Sequence, residues 1–182
     1  MQQAQRFSLP DHGDGVVPVR ILMPSPLGAL GVELRLAAVT RVVIDPADAE
    51  RSTFTPLHEL RGSELLDEVC GRLSEYFAGA RRKLDVDFNL GPCGCTGFAR
   101  RVLKEAAKIP YGRTRTFESI ADLAGRPEAH LQVLSVLLAN PIPIVIACHR
   151  VVGNDGALGG YVAGLERKRW LLALESSARV EL

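Results

Sequence analysis

The chain has 182 residues and a formal net charge of +1, and 47% of its residues are hydrophobic while 24% are charged. These values are ordinary for a globular protein of one large domain or two small ones. They exclude a transmembrane protein, because no window approaches the roughly 20 apolar residues of a membrane-spanning helix, and a disulfide scaffold, because four cysteines are too few for this length.

Charge is distributed unevenly along the chain. Residues 1–90 carry 10 Lys and Arg against 13 Asp and Glu, whereas residues 91–182 carry 12 against 8. The more basic carboxy-terminal half mildly favours a polyanionic partner there. Residues 1–17 are polar, contain no apolar signal region and are predicted to be disordered, so we expect a cytoplasmic protein.

The amino-terminal half contains strand and helix patterns. Strand composition is found at residues 19–23, 31–36 and 40–44, and residues 24–28 form the first hairpin connection. Residues 62–79 are predicted to form a helix, because apolar side chains recur there at spacings of three and four. Residues 83–90 alternate between polar and apolar and are predicted to form a strand.

The stretch Gly91-Pro92-Cys93-Gly94-Cys95 is the predicted domain boundary. It separates an α+β domain over residues 1–90 from a mostly helical domain over residues 91–182. Cys93 and Cys95 suggest a metal or redox pair, but a single residue separates them. The cysteines and histidines of the chain show no recognisable spacing for a tetrahedral zinc site, so no metal is predicted.

Helices dominate the predicted carboxy-terminal half. Thr96 is a candidate N-cap for a helix through Lys108, and Thr116 for a shorter helix over residues 116–124. A second short helix over residues 128–139 follows the turn at Gly125. Two short helices around a glycine-containing turn are typical of a helix-turn-helix. The last predicted helix spans residues 165–176.

A cysteine stands at the end of the most apolar run of this half. Ile144-Val145-Ile146 is predicted to be a buried strand, and Cys148 follows it at the edge of the core. A cysteine in such a place is either a small hydrophobic residue or a positioned nucleophile. The residues that follow it, His149 and Arg150, favour the nucleophile.

The run Asn140-Pro141-Ile142-Pro143-Ile144-Val145-Ile146-Ala147-Cys148-His149-Arg150-Val151-Val152 resembles the active-site signature of the O6-alkylguanine-DNA alkyltransferases, or methylated-DNA–protein-cysteine methyltransferases. That signature reads Pro-Cys-His-Arg-Val, and Ala147 replaces its proline here. Further similar segments include Ser25-Pro26-Leu27-Gly28, Glu75-Tyr76-Phe77, Pro110-Tyr111-Gly112 and Gly160-Tyr161. The resemblance covers roughly residues 20–176.

The resemblance implies a fold and an activity. The fold is a small amino-terminal antiparallel-sheet domain, ribonuclease-H-like, followed by a mostly helical helix-turn-helix domain, winged-helix-like. The activity is DNA repair by an enzyme that moves an alkyl group from O6 of guanine to Cys148 in a single turnover. No cofactor is implied, the partner is alkylated double-stranded DNA, and the protein is expected to be a monomer.

The resemblance also implies catalytic roles. Cys148 accepts the alkyl group as a thiolate, because a thiol is a poor nucleophile. His149 takes the proton of the thiol through a bridging water, and Glu175 from the last helix fixes the imidazole tautomer. Asn140 orders the water and the backbone of the hinge.

Substrate recognition departs from the family pattern. The implied substrate-binding positions are Phe117, Leu131, Val151, Tyr161 and Val162, and the implied DNA-binding positions are Thr116, Gln132, Ser135 and Arg150. The family's arginine finger is replaced by Leu131, its small helix residues by Gln132 and Leu134, its guanine-contacting tyrosine by Phe117, and a loop serine by Val162.

The altered recognition groups beside retained catalytic groups predict an active cysteine with altered substrate preference or weakened affinity for duplex DNA. Two alternatives remain open. The first is a non-catalytic sensor of alkylated DNA, although such relatives lack the cysteine that this chain retains. The second is a cysteine that accepts alkyl groups from a small or non-duplex electrophile.

Overall fold

The computed structural model describes residues 17–60 and 64–177. These residues form an α+β protein with a small, mainly antiparallel sheet in the amino-terminal part and helices in the carboxy-terminal part, which confirms the predicted fold class. The predicted disorder of residues 1–17 falls outside the described residues except at residue 17. The domain boundary at residue 90 stays a prediction.

The sheet contains four strands in the order β3-β2-β1-β4, namely β1 (Val19–Ser25), β2 (Gly28–Arg35), β3 (Ala38–Ile44) and β4 (Thr55–Pro56). The first three are antiparallel neighbours, and β4 pairs parallel with β1. Gly28 closes the first hairpin with a φ of +103°, which glycine tolerates because it lacks a Cβ. A short helix, α1 (Asp48–Arg51), and a 3-10 turn over Leu57–Glu59 complete this segment.

The predicted helix of the amino-terminal half is present as α2 (Glu64–Phe77). Its buried stripe, which follows the predicted spacing, consists of Leu66, Val69, Cys70, Leu73, Tyr76 and Phe77. The predicted strand over residues 83–90 is wrong. Only one isolated bridge, between Val39 and Phe88, joins this segment to the sheet. Asp85 has a positive φ of 47°, which interrupts the extended backbone, while the alternating apolar side chains still pack on the core.

Four helices form the carboxy-terminal part: α3 (Gly97–Ala107), α4 (Phe117–Leu123), α5 (His130–Leu138) and α6 (Leu165–Ser177). The cap at Thr116 is confirmed, because its Oγ1 accepts a hydrogen bond from Ser119 N at 3.1 Å. Thr96 is the N-cap residue of α3, as predicted, although its side chain makes no capping hydrogen bond. The two helices of the predicted helix-turn-helix, α4 and α5, lie around Gly125 and a 3-10 turn over Pro127–Ala129.

The predicted strand at Ile144-Val145-Ile146 is also wrong. The run is largely buried, but it forms a turn in which Ile144 has a φ of +76°, an unfavourable value for a β-branched residue. Ile146 N donates to Ile142 O at 2.9 Å across the turn. Cys148–Arg150 then form a 3-10 turn, and β6 (Val151–Val152) pairs parallel with β5 (Arg115–Thr116). Burial without alternation does not distinguish a strand from such a turn.

Within the described ranges, none of the helices combines the length and apolar character that crossing a membrane requires. The same residues contain no cluster of three or more His, Cys, Asp or Glu side chains suited to a metal ion.

Candidate active site

The Cys148 sulfur lies in the interior beside an amide side chain. The residue is 2% exposed, and Asn140 Nδ2 donates hydrogen bonds to Cys148 Sγ at 3.0 Å and to Ile146 O at 3.2 Å. Asn140 Oδ1 accepts a third hydrogen bond from Ile142 N at 3.0 Å. One buried side chain therefore fixes the strained turn and contacts the sulfur.

The environment of the sulfur keeps it protonated at rest. Burial raises the pKa of the Cys148 thiol from 9.0 to about 11, although the hydrogen bond from Asn140 and the positive charge of Lys168 act in the opposite direction. A thiol with this pKa is almost wholly neutral at pH 7. Reaction as a nucleophile therefore requires a base that removes the proton.

His149 has the properties of such a base. Its Nε2 lies 2.9 Å from Glu175 Oε1, so the carboxylate holds the proton on Nε2. Its Nδ1 is buried and makes no hydrogen bond within the described residues, which leaves the lone pair on Nδ1 available. Burial lowers the pKa of His149 against the opposing effect of Glu175, and the imidazole is therefore neutral at pH 7.

Glu175 is the most heavily hydrogen-bonded side chain of the site. Arg150 Nη2 donates to its Oε1 at 2.8 Å, Arg150 Nε to its Oε2 at 2.9 Å, and Gly112 N to its Oε2 at 3.1 Å. Burial would raise the pKa of Glu175, but the hydrogen bonds from His149 and Arg150 and the positive charge of Arg150 outweigh burial and hold the pKa far below its usual range. Glu175 is consequently a permanent anion behind the imidazole.

Arg150 is not placed where it could contact DNA. Its guanidinium is occupied by Glu175 and by Ile109 O, to which Nη1 donates at 2.5 Å, and it lies 5.8 Å from the centre of the Tyr111 ring. The geometry gives Arg150 a bracing role between α6 and the end of α3, which corrects its assignment to a DNA contact.

A tyrosine of the amino-terminal helix completes the cluster. Tyr76 Oη donates to Glu175 Oε1 at 2.6 Å and lies 3.5 Å from His149 Nε2. Neither the apolar spacing of α2 nor the family-like segment Glu75-Tyr76-Phe77 predicted this contact of Tyr76. A signal was present, because a buried tyrosine hydroxyl normally needs a hydrogen-bond partner. The relay thus combines α2, the turn at Cys148 and α6.

Lys168 braces the segment that follows Cys148. It is fully buried, and its Nζ donates to three carbonyl oxygens, those of Val151 at 2.6 Å, Gly160 at 3.3 Å and Leu158. Burial lowers the pKa of Lys168 from 10.5 to about 8. Lys168 therefore fixes the loop over residues 151–160.

Comparison with known proteins identifies the family. Residues 97–177 match the family model described as 6-O-methylguanine DNA methyltransferase, DNA binding domain. The methylated-DNA–protein-cysteine methyltransferase of Mycobacterium tuberculosis is 45% identical over 155 residues, which are 84% of this chain and 89% of that protein. The chain belongs to the methylated-DNA–protein-cysteine methyltransferases.

Further relatives agree. The corresponding methyltransferase of Methanosarcina barkeri is 40% identical over 122 residues, 67% of this chain and 75% of that protein. The crystal structure of M. tuberculosis O6-methylguanine methyltransferase has a TM-score of 0.75 at 34% identity, with 89% of this chain and 94% of that one covered. A structure of the M. tuberculosis protein in complex with DNA has a TM-score of 0.75 at 35% identity and covers 87% and 93%. The predicted family and the class of enzyme are thereby confirmed.

The substrate side of this methyltransferase is tightly packed. Val151 and Tyr161 are buried, and the Tyr161 hydroxyl makes no hydrogen bond within the described residues. Phe117 lies so close to Gly159 that a Cβ on Gly159 would be 2.6 Å from Phe117 Cζ. Val162 is exposed and lines a cavity of about 670 Å3. Four of the five implied substrate-binding residues therefore lie in or next to the loop over residues 151–160, which Lys168 fixes. They are Phe117, Val151, Tyr161 and Val162.

Helix α5 exposes both apolar and polar side chains. Leu131 is 71% exposed, and Gln132 and Ser135 are also exposed. The hydroxyl of Thr116, the fourth implied DNA-binding position beside Gln132, Ser135 and Arg150, caps α4. Leu134 and Leu138 approach the active-site loop, because a Cβ on Gly160 would be 2.7 Å from Leu138 Cδ2 and 3.4 Å from Leu134 Cδ1. Leucine side chains thus close the space between the helix and the loop.

Proposed function

We propose that this chain repairs DNA by moving an alkyl group from O6 of guanine to Cys148 in one irreversible turnover. The observation that carries the proposal is a buried sulfur in contact with Asn140, on the residue that precedes a buried histidine whose imidazole a buried carboxylate orients. Family membership and the match to a DNA-binding domain support it. The proposed partner is alkylated double-stranded DNA, and the proposed state is a monomer.

The proposed reaction is a displacement at carbon. The proton of the Cys148 thiol moves to His149 Nδ1 through a bridging water, and Glu175 stabilises the imidazolium that forms. The thiolate attacks the alkyl carbon, an S–C bond forms and the C–O6 bond breaks. The electron pair of that bond stays with guanine, which takes up one proton and leaves as a neutral base. The S-alkyl cysteine ends the reaction.

The proposed substrate preference follows from α5. Leu131 carries no charge for a phosphate or a base edge, and Phe117 has no hydroxyl to donate to the departing guanine. Leu134 and Leu138 pack closely against Gly160, next to the implied substrate-binding residue Tyr161. We therefore expect weak transfer from duplex DNA relative to small substrates. This packing also favours the second candidate function, a cysteine acceptor for a non-duplex electrophile.

Rates of single-turnover transfer from O6-methylguanine in duplex DNA, in single-stranded DNA and as the free base test this preference. The ratio of duplex to free-base rate should rise about tenfold in Leu131→Arg, since one arginine contact to DNA is worth about 1–3 kcal/mol. Leu36→Arg, which adds the same charge at an exposed leucine of the β2–β3 turn, is the matched control. Efficient duplex transfer by the unaltered chain, with no gain in Leu131→Arg, would contradict the altered preference.

Tyr76→Phe tests the link between α2 and the relay. Without the hydrogen bond from the Tyr76 hydroxyl, the Glu175 carboxylate interacts more strongly with the imidazolium. The pKa of His149 therefore rises. The acid limb of the transfer rate should therefore move to higher pH by about half a unit, and the unfolding free energy should fall by about 1–2 kcal/mol. Tyr111→Phe, whose hydroxyl donates to Leu174 O, is the control. Coincident pH profiles for all three proteins would exclude the coupling.

A further inference from the structure

The proposed alkyl transfer uses neither Cys93 nor Cys95. Cys93 and Cys95 form a disulfide across Gly94, with Cα atoms 5.3 Å apart, a separation within the usual range for disulfides. Both are half-buried, and Gly94 between them is exposed, with a φ of +65° and open space where a Cβ would lie. The pair is therefore open to solvent. In contrast, the other two cysteines, Cys70 and Cys148, are free and buried.

Two features of the surroundings favour thiolates in the pair, whereas Leu90 O, 3.0 Å from Cys93 Sγ, favours the Cys93 thiol. Cys95 immediately precedes the N-cap residue of α3, an 11-residue helix. The Thr96 side chain makes no capping hydrogen bond and the first turn of α3 contains no acidic residue, so its positive end is uncompensated. Cys95 N also donates to Cys93 Sγ at 3.2 Å. A helix N-terminus and backbone N–H donors are the features that lower cysteine pKa values in reactive dithiols.

A cavity adjoins the pair. Cys93, Gly94 and Cys95 line the same cavity of about 670 Å3 that is also bounded by Asn140 and Val162. Its volume lies within the roughly 300–1,000 Å3 of small-molecule sites. A small thiol can therefore occupy this space with its sulfur next to the disulfide.

We propose that Cys93 and Cys95 form a thiol–disulfide exchange site for low-molecular-weight thiols. A small thiolate attacks Cys95 Sγ, the S–S bond breaks, and Cys93 leaves as a thiolate that the Cys95 N–H stabilises. A second small thiolate attacks the mixed disulfide on Cys95 and releases Cys95 as a thiolate. The net change oxidises two small thiols to one disulfide and reduces the protein disulfide to a dithiol.

Stabilised thiolates make this disulfide easy to reduce, since they favour the reduced form. Cys93 and Cys95 line the same cavity as Asn140. The lining of this cavity therefore differs between the dithiol and the disulfide form. The exchange itself is independent of alkyl transfer, since it uses neither Cys148 nor His149.

Glutathione redox buffers test the proposal on the full chain. Protein is equilibrated at graded ratios of reduced to oxidised glutathione, quenched with acid, alkylated and digested with trypsin. Cleavage after Lys83 and Arg100 isolates Cys93 and Cys95 in one peptide, and Cys70 lies in another, between Arg61 and Arg72. Cys70 is the internal control, because burial raises the pKa of its thiol to about 11.

The expected result is a disulfide in the 84–100 peptide that forms with oxidised glutathione and is lost with reduced glutathione. In Cys93→Ser, Cys95 should gain one glutathionyl group at least tenfold faster than Cys70 does. The Cys148→Ala chain should behave like the unaltered chain. Thiols that persist in excess oxidised glutathione, a disulfide that resists reduced glutathione, or labelling no faster than that of Cys70 would each overturn the proposal.

Discussion

Glu175→Ala should lower the free energy of unfolding by about 3–5 kcal/mol and abolish transfer, because it leaves a buried charge unpaired. The missing carboxylate is the partner of Arg150, His149 and Tyr76, and a cavity replaces it. Glu175→Gln keeps the shape of the side chain and the hydrogen bond from Gly112 N, so we expect an intermediate loss. Denaturant unfolding at pH 7 and a single-turnover transfer assay measure both effects.

The same carboxylate makes the protein sensitive to acid. The pKa of Glu175 is lower in the folded state than in the unfolded state. Its ionised carboxylate therefore stabilises the fold at any pH above the unfolded-state pKa of about 4.3. This stabilisation is lost as the pH falls toward the folded-state pKa. Glu175→Ala should lack this acid-dependent loss. Glu166→Ala, at an exposed glutamate of the same helix, should change stability by less than about 1 kcal/mol. A similar small loss in Glu175→Ala would show that the buried cluster is not as described.

Asn140→Ala should reduce the transfer rate by about 100-fold and the free energy of unfolding by about 2–4 kcal/mol. The substitution leaves Ile142 N and Ile146 O without their hydrogen bonds, in a turn that already holds Ile144 at a positive φ. It also removes the donor to Cys148 Sγ, so that the pKa of the thiol rises further.

Asn140→Asp separates these two effects, because aspartate still accepts from Ile142 N but places a negative charge beside the sulfur. Its stability should recover in part, whereas its transfer rate should stay low. Asn154→Ala, at an exposed asparagine of the loop after β6, is the control and should match the unaltered chain. An Asn140→Ala protein with normal transfer would remove Asn140 from the proposed mechanism.

The sequence predicted which side chains lie near Cys148 better than it predicted the backbone conformation around them. Cys148, His149 and Asn140 lie within ten residues, and their order resembles a known signature, so their proximity followed from local sequence. The strand predicted at Ile144-Val145-Ile146 failed because an apolar run is equally compatible with a buried turn. The turn forms because Asn140 supplies hydrogen bonds from a side chain where a strand would use its neighbour.

Contacts between distant elements were the least predictable. The hydroxyl of Tyr76 meets Glu175 across 99 positions of sequence, and nothing local distinguishes Tyr76 from the other members of its apolar stripe. The family resemblance placed Arg150 among the DNA-binding positions, whereas its guanidinium is held in the interior by Glu175. The strand at residues 83–90 failed for a local reason, the positive φ of Asp85, which aspartate tolerates better than most residues.

The central claim is that Cys148 is the atom that accepts the alkyl group, with His149 as its base. The most direct measurement is peptide mass analysis of the chain after a single exposure to an oligonucleotide that contains O6-methylguanine, repeated from pH 5 to 8. The claim predicts one added methyl group, found only on the Cys148 peptide and absent from Cys148→Ala. The rate of methylation should be constant at higher pH and should decrease only when the pH is below the usual pKa of histidine. Methylation of another residue, or methylation of the Cys148→Ala chain, would contradict it.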